Sequence, residues 1–280
     1  MSEITKLHEN GLSYITRSGQ GPTILFLHGI GSNADSFAPL FGLLPDHLNL
    51  LAWNAPGYAD SRGLADHWPQ PHDYAQALAS LLDDIGIPSI YVLGHSLGAL
   101  IAAEFARSFP DRVAKLVLAS AANGYGVPRG APMPAKTAAR IEDLVRLGPA
   151  GFARARAPNL VHNPAANKDV VSRIEATMAQ LNPAGYFQAV RMLASGDLCT
   201  VIRDVQTRPG FIIGAEDKIT PPEQTHKAAA AWEARHGSAP QIASIDGAGH
   251  AVYAQKPEQF AAALLSLMAP DTETVAPAVT

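Results

Sequence analysis

Cysteine is almost absent from this sequence, which contains a single one, Cys199, in 280 residues. One thiol cannot form an internal disulfide, so nothing in the sequence favours an oxidising compartment. The sequence also lacks His-Glu-x-x-His, Cys-x-x-Cys and any compact group of histidine and aspartate residues. Those spacings are typical of protein metal sites, so we expect no metal site here.

Charged residues are scarce as well. They make up 16% of the chain, the formal net charge is −4, and no run of lysine or arginine stands out. A protein that binds the phosphate backbone of a nucleic acid needs a basic face. We therefore expect no nucleic-acid partner.

Long hydrophobic runs are missing too. The longest apolar stretches, such as residues 22–27 and 113–121, fall well short of the roughly 20 residues that cross a bilayer as a helix. Residues 1–14 contain no apolar run of the kind found in signal peptides. We expect a cytoplasmic protein that acts on a small molecule and has no membrane partner. Its oligomeric state is left open between a monomer and a homo-oligomer.

The sequence is 47% hydrophobic, which is enough for one large core. Its apolar residues form predicted strands that alternate with predicted helices. Continuous apolar strands joined by helices indicate a parallel sheet covered on both faces. Residues 12–16 and 23–27 are joined too tightly for a crossover, so they predict an antiparallel start to the sheet. Further strands are predicted at residues 48–53, 89–93, 113–119, 210–214 and 241–245, and helices at residues 74–85, 97–109, 222–235 and 257–268.

The alternation stops between residues 123 and 205, where helical segments occur without a convincing strand. We interpret this stretch as a helical cap inserted into an α/β core formed by residues 1–122 and 206–270. The small polar residues 271–280 predict a flexible tail. The helical segments of the cap are predicted at residues 135–147, 168–181 and 185–194.

The pattern Gly-x-Ser-x-Gly occupies residues 94–98, between a buried strand and a helix. A sharp turn from strand to helix holds a serine in a strained backbone conformation and projects its hydroxyl above the sheet edge. The small residues Gly94 and Gly98 allow the strand and the helix to approach closely. Ser96 is therefore the candidate nucleophile, and we assign no catalytic role to His95.

A serine hydroxyl needs a base to accept its proton and an acid to orient that base. His250 and Asp217 follow two later predicted strands, so both are expected at the same sheet edge as Ser96. Glu216 remains an alternative acid, whereas Asp246 directly ends its strand and is interpreted as a turn residue.

The loop at residues 28–33 also follows a buried strand and is a candidate oxyanion hole. We expect the backbone N–H groups of Ile30 and Leu97 to hold a developing negative charge, with His28 bracing the loop. The same loop has the glycine spacing of a dinucleotide site, but the next strand ends without the required acidic residue. We therefore expect no cofactor.

Together these motifs resemble the α/β-hydrolase superfamily, in particular its small members with a cap. The matching segments are His-Gly-Ile-Gly-Ser-Asn, residues 53–61, Gly-His-Ser-Leu-Gly-Ala, residues 214–221 and residues 247–260. The chain order of serine, acid and histidine is also that of the family. The resemblance implies an eight-stranded, mostly parallel sheet with flanking helices and a helical cap over the site.

The same resemblance implies a serine hydrolase that acts on a small carboxylic ester or lactone through an acyl-enzyme. The groups that the sequence resembles are 3-oxoadipate enol-lactonases, carboxylesterases and hydrolases of carbon–carbon bonds in aromatic degradation. Serine in place of an aspartate nucleophile disfavours dehalogenase and epoxide hydrolase chemistry. A carbon–carbon bond hydrolase, a non-catalytic receptor for a small molecule and a cofactor-free oxygenase remain as alternatives.

The substrate pocket is predicted from the loop around the oxyanion hole and from large side chains of the cap. Arg154 and Arg156 are two residues apart on a predicted helix, so at most one of them points inward. An inward arginine would favour a substrate that carries a carboxylate. The candidates for substrate binding are Gly29, Ser32, Tyr125, Phe152, Arg154, Met192 and, from the resemblance, Val252.

Overall fold

The computed structural model describes residues 3–269 and shows one eight-stranded sheet with helices on both faces. The strands are β1 (Thr5–Glu9), β2 (Leu12–Arg17), β3 (Thr23–Leu27), β4 (Asn49–Trp53), β5 (Ile90–His95), β6 (Val113–Ala119), β7 (Pro209–Gly214) and β8 (Gln241–Ile245). The helices are α1 (Ala38–Phe41), α2 (Pro71–Asp84), α3 (Leu97–Ser108), α4 (Ala135–Arg156), α5 (Lys168–Met178), α6 (Pro183–Ser195), α7 (Leu198–Val201), α8 (Pro222–His236), α9 (Val252–Gln255) and α10 (Pro257–Met268).

The spatial order of the strands is β1-β2-β4-β3-β5-β6-β7-β8, and every pairing from β4 to β8 is parallel. Apart from Thr23 at the start of β3 and His95 at the end of β5, these two central strands consist of apolar residues, because helices cover both of their faces. Leu25 and Phe26, which point to opposite faces, are both fully buried. The predicted fold class is therefore confirmed.

The antiparallel part of the sheet differs in detail from the prediction. β2 does run antiparallel, but its partners are β1 and β4, and β4 separates it from β3. The sequence did not reveal β1, because all five of its residues are exposed and carry no pattern of burial. An edge strand held mainly by backbone hydrogen bonds leaves little trace in hydrophobic periodicity.

Helices α4 to α7 lie between β6 and β7, in the stretch predicted as a cap. In this stretch, Gly124 and Asp197 form an isolated antiparallel β-bridge. The cap boundaries at residues 123 and 205 stay a prediction, and the predicted tail, residues 271–280, lies outside the described residues.

Helix α4 consists of two segments separated by a sharp bend at Gly148. That residue has φ 64° and ψ 170°, which a helix does not tolerate, and Pro149 follows it. Asp143 and Arg156 would be about 20 Å apart along a straight helix. Their charged atoms are 3.9 Å apart, so the helix bends sharply between them.

Within residues 3–269, no helix combines the length and apolar character needed to cross a membrane.

Candidate active site

Ser96 lies at the sharp turn between β5 and α3. Its φ of 54° and ψ of −113° are strained for a residue with a side chain. A Cβ atom on Gly98 would come within 2.2 Å of the Leu27 carbonyl oxygen, and one on Gly94 within 2.4 Å of the Gly98 carbonyl oxygen. The two glycines are therefore required for the strand and the helix to approach closely enough to form the turn.

The side chains of Ser96, His250 and Asp217 form one chain of hydrogen bonds at this edge of the sheet. The Ser96 Oγ lies 2.9 Å from the His250 Nε2, and the His250 Nδ1 lies 2.9 Å from the Asp217 Oδ2. All three residues are buried. They converge because each follows the carboxyl end of a parallel strand, namely β5, β7 and β8.

The Asp217 carboxylate is held in its charged form by four groups. Its Oδ1 accepts the backbone N–H groups of Ile219 and Thr220, at 2.8 and 3.0 Å. Burial raises the pKa of the Asp217 carboxyl, but the neighbouring His250 and the hydrogen bonds from Thr220 outweigh it, and the net pKa is lowered. An ionised Asp217 fixes the histidine tautomer in which Nδ1 carries the proton and Nε2 faces the serine.

Thr220 is a member of the site that the sequence reasoning missed. Its hydroxyl lies 2.8 Å from the Asp217 Oδ2, 2.9 Å from the Ser120 carbonyl oxygen and 3.1 Å from the His250 Nδ1. The available signal was the spacing Asp-x-x-Thr after a strand, in which the two side chains share one turn. Thr220 thus positions both the carboxylate and the imidazole.

The alternative acid Glu216 has another role. Its Oε2 accepts the backbone N–H of Ala248 at 3.0 Å and so braces the loop that carries His250.

The predicted oxyanion loop lies opposite Ser96. A Cβ atom on Gly29 would be 3.0 Å from the Ser96 Cβ, so the loop backbone approaches the serine closely. Leu97 is the first residue of α3, and its N–H therefore has no acceptor in the ladder of that helix. Ile30 and Leu97 both line the cavity described below. Their role as an oxyanion hole remains a proposal.

Two buried histidines support this arrangement without a charge. His28 donates from Nδ1 to the Gly29 carbonyl at 2.9 Å and accepts the Ala55 N–H on Nε2 at 3.0 Å. His95 donates from Nε2 to the His250 carbonyl at 2.9 Å. Burial lowers the pKa of His28 to about 4. Burial is also the main cause that lowers the pKa of His95 to about 3, and the nearby His250 is the second cause. Both rings therefore act as neutral braces at neutral pH.

A cavity of about 890 Å³ extends from Ser96 and His250 to helices α4, α5 and α6. That volume is within the range of pockets for small molecules. Four predicted substrate-binding residues line it, namely Gly29, Ser32, Tyr125 and Phe152. In residues 3–269 no group of three or more His, Cys, Asp or Glu side chains is arranged to hold a metal ion.

The other three predicted substrate-binding residues lie elsewhere, and each is a correction. Met192 is fully buried where α6 packs on the core with residues of α2 and α3, and Val252 is fully buried in the core between the sheet and α10. The Arg154 side chain is 77% exposed and lies 3.7 Å from Glu175. Residues two apart on a helix point about 200° apart, so Arg156, on the same face as Phe152, lines the cavity instead.

The cavity wall also contains side chains that the substrate prediction did not name. Arg140 and Tyr186 line it from α4 and α6, and Tyr253 lines it from α9. The Tyr253 hydroxyl donates to the Ser36 Oγ at 3.2 Å and lies 3.4 Å from the Ser32 Oγ. No sequence signal separates these side chains from ordinary core or surface residues, because their direction depends on how the elements pack.

Comparisons with known proteins agree with the geometry. The chain is 28% identical over 250 residues to a pimeloyl-[acyl-carrier protein] methyl ester esterase of Aromatoleum aromaticum, covering 86% of this chain and 95% of the relative. It is 23% identical over 266 residues to an (E)-2-((N-methylformamido)methylene)succinate hydrolase of Acinetobacter baylyi, covering 92% and 95%. The enol-lactonase of Burkholderia xenovorans has a similar fold, with a TM-score of 0.80 at 18% identity over 94% of this chain and 99% of that one.

The sequence profile of the alpha/beta hydrolase family matches residues 24–263, which include Ser96, Asp217 and His250. The chain therefore belongs to the alpha/beta hydrolase family and is an enzyme of the hydrolase class.

Proposed function

We propose that this protein is a serine hydrolase that cleaves a small carboxylic ester or lactone through an acyl-enzyme intermediate. The observation that carries the proposal is the hydrogen-bonded chain from Ser96 through His250 to Asp217 at the floor of the cavity. A receptor on the same scaffold has no need for this chain.

In the first half of the reaction, the Ser96 oxygen attacks the carbonyl carbon while the His250 Nε2 accepts the hydroxyl proton. The negative charge on the carbonyl oxygen is held by the N–H groups of Ile30 and Leu97. When the tetrahedral intermediate collapses, the bond to the alcohol oxygen breaks and His250 returns the proton to that oxygen. Asp217 stabilises the imidazolium throughout.

In the second half, water replaces the alcohol. His250 accepts a proton from the water, whose oxygen attacks the acyl carbon and displaces the Ser96 oxygen, which takes the proton back. The products are a carboxylic acid and an alcohol, or a hydroxy acid if the substrate is a lactone. The enzyme returns to its starting state without a cofactor.

The activities of the relatives support ester chemistry as the leading choice. One relative is a methyl ester esterase, and one solved structure with a similar fold is an enol-lactonase. The Acinetobacter relative is a hydrolase of a substituted succinate. All three names describe cleavage by water, which the chain of Ser96, His250 and Asp217 is suited to promote.

The decisive experiment measures hydrolysis of a panel containing 4-nitrophenyl esters, lactones, thioesters and a vinylogous diketone. We expect activity on an ester or a lactone, and loss of several orders of magnitude in kcat in Ser96→Ala. Ser80→Ala, on the exposed surface of α2, is the matched control and should keep the full rate.

Other outcomes contradict the proposal in different ways. Cleavage of the diketone alone would identify a carbon–carbon bond hydrolase. Failure of a fluorophosphonate probe to label Ser96, seen by mass spectrometry, would favour a receptor. A Ser96→Ala variant that keeps more than about a tenth of the activity would exclude Ser96 as the nucleophile.

A further inference from the structure

The cavity is positively charged although the protein as a whole is not. The chain has a formal net charge of −4. Of the two carboxylates in the wall, Asp35 already accepts Lys6 Nζ at 2.7 Å. An enclosed excess of positive charge attracts an anionic ligand. The cationic side chains that line the cavity are Arg140, Arg156, Arg173 and Lys227.

Arg156 lies in the cavity wall without a hydrogen-bonded carboxylate of its own. Its guanidinium lies 5.0 Å from the centre of the Phe152 ring, which holds the side chain against the wall. The nearest carboxylate, that of Asp143, is 3.9 Å away, beyond hydrogen-bonding distance. The other oxygen of Asp143 already accepts Arg146 at 2.6 Å. Asp143 therefore cannot neutralise both arginines.

Arg140 adds a second positive charge beside Arg156. The bend at Gly148 brings Arg140 and Arg156, eight positions before and after it, to the same wall. Burial is the main cause that lowers the pKa of Arg156, and the positive charge of Arg140 is the second cause. Among residues 3–269, Arg140 forms no hydrogen bond or salt bridge with a protein group. The positive charge of Arg140 therefore disfavours the charged form of Arg156, which a bound anion would stabilise.

We propose that Arg140 and Arg156 bind a carboxylate at the far end of the acyl chain, so that the substrate is a monoester of a dicarboxylic acid or a lactone that bears a carboxylate. A carboxylate matches the planar guanidinium group and can accept two hydrogen bonds from it. Phe152 and Tyr186 would contact the apolar chain between the two ends. This inference rests on the proposed ester or lactone hydrolysis.

The first test compares matched esters that differ only at the far end of the acyl chain. Monoesters of glutaric, adipic and pimelic acid with 4-nitrophenol are compared with esters of the same length that end in a carboxamide. We expect kcat/KM to be roughly 10- to 100-fold higher for the best carboxylate than for its carboxamide, because hydrogen bonds to charged groups discriminate by about this factor.

Variants then assign the preference to the arginine pair. Arg156→Gln and Arg140→Gln should each reduce the ratio of kcat/KM between the two esters about tenfold. Most of that reduction should come from a lower kcat/KM for the carboxylate ester. Arg156→Lys should keep part of the preference. Arg154→Gln is the matched control, since its side chain lies on the same helix but points to solvent, and it should leave the ratio unchanged.

Two results would overturn the inference. One is a wild-type enzyme that hydrolyses both esters in a Ser96-dependent manner at equal kcat/KM. The other is a preference that survives Arg140→Gln, Arg156→Gln and their combination. Either result leaves the proposed function intact.

A binding measurement separates the two proposals if no ester is hydrolysed. Calorimetry with Ser96→Ala and free adipate, against adipic monoamide, tests the arginine pair without catalysis. Tighter binding of adipate that is lost in Ser96→Ala/Arg156→Gln supports the pair. Equal binding of the two compounds contradicts it.

Discussion

The floor of the cavity and the wall opposite it are built in different ways. The side chains of the floor follow the ends of parallel strands, and backbone and side-chain hydrogen bonds hold them within hydrogen-bonding distance of one another. The wall is formed by helices α4 to α6, whose side chains contact each other mainly through apolar groups. The floor is suited to identical chemistry on many substrates, whereas the wall is suited to choosing among them.

The largest effect should come from the floor. His250→Ala removes the proposed base, and we expect kcat to fall by roughly 10⁴-fold or more. Tyr125→Ala, in the part of the wall that precedes α4, should change KM and alter kcat less than about tenfold, because Tyr125 is 53% exposed and is not a member of the hydrogen-bonded chain of Ser96, His250 and Asp217. Steady-state kinetics on one ester measure both. Equal losses of kcat in the two variants would contradict the division between floor and wall.

Acid should destabilise the floor through its neutral histidines. The folded-state pKa values of His28 and His95 are lowered to about 4 and about 3, from 6.5 in an unfolded chain. The unfolded state thus binds more protons below pH 6.5, and stability falls as the pH drops toward 4, by about 1.4 kcal/mol per pH unit for each histidine. Asp217, whose pKa is lowered, loses its contribution only below about pH 4.

Urea unfolding between pH 7 and pH 4.5 measures this slope. His28→Gln keeps a side chain that can donate and accept, and it should reduce the slope by the contribution of one proton. A free energy of unfolding that stays flat between pH 6.5 and pH 4.5 would show that the two rings are not held neutral.

The contact between the wall and the core should be sensitive to a single methyl group. A Cβ atom on Gly185, in α6, would lie 1.9 Å from the carbonyl oxygen of Gly57. We expect Gly185→Ala to lower the free energy of unfolding by about 1–3 kcal/mol through overpacking, and to raise KM as the wall shifts. The exposed neighbour Ala184 provides the control, since Ala184→Ser should change stability by less than about 0.5 kcal/mol. An unchanged stability in Gly185→Ala would show that α6 moves freely over the core.

The smallest expected effect concerns Thr220. Thr220→Val keeps the volume but removes the hydroxyl near Asp217 and His250, and we expect kcat to fall about tenfold while KM stays constant. Thr220→Ser should restore most of the rate. If Thr220→Val lowers stability but does not lower kcat at constant KM, Thr220 has a structural role only.

The sequence predicted the floor well because it depends on local rules. A strained serine between two glycines, and acidic and histidine residues after later strands, meet at one edge in any parallel sheet with this chain order. The sequence did not predict the role of Thr220, because that role depends on the contact between the turn after β7 and His250. The wall was predicted less well, as Arg154, Met192 and Val252 show. A helix pattern limits which residues share a face, but it does not say which face meets the cavity.

The sequence by itself determined the fold class and the order of the candidate nucleophile, acid and base, since strand periodicity and loop position follow from neighbouring residues. Only the tertiary structure decided that β4 lies between β2 and β3, that Arg156 rather than Arg154 faces the cavity, and that Arg140 joins it. The physical reason is that these outcomes depend on long-range packing, in particular on the bend of α4 at Gly148.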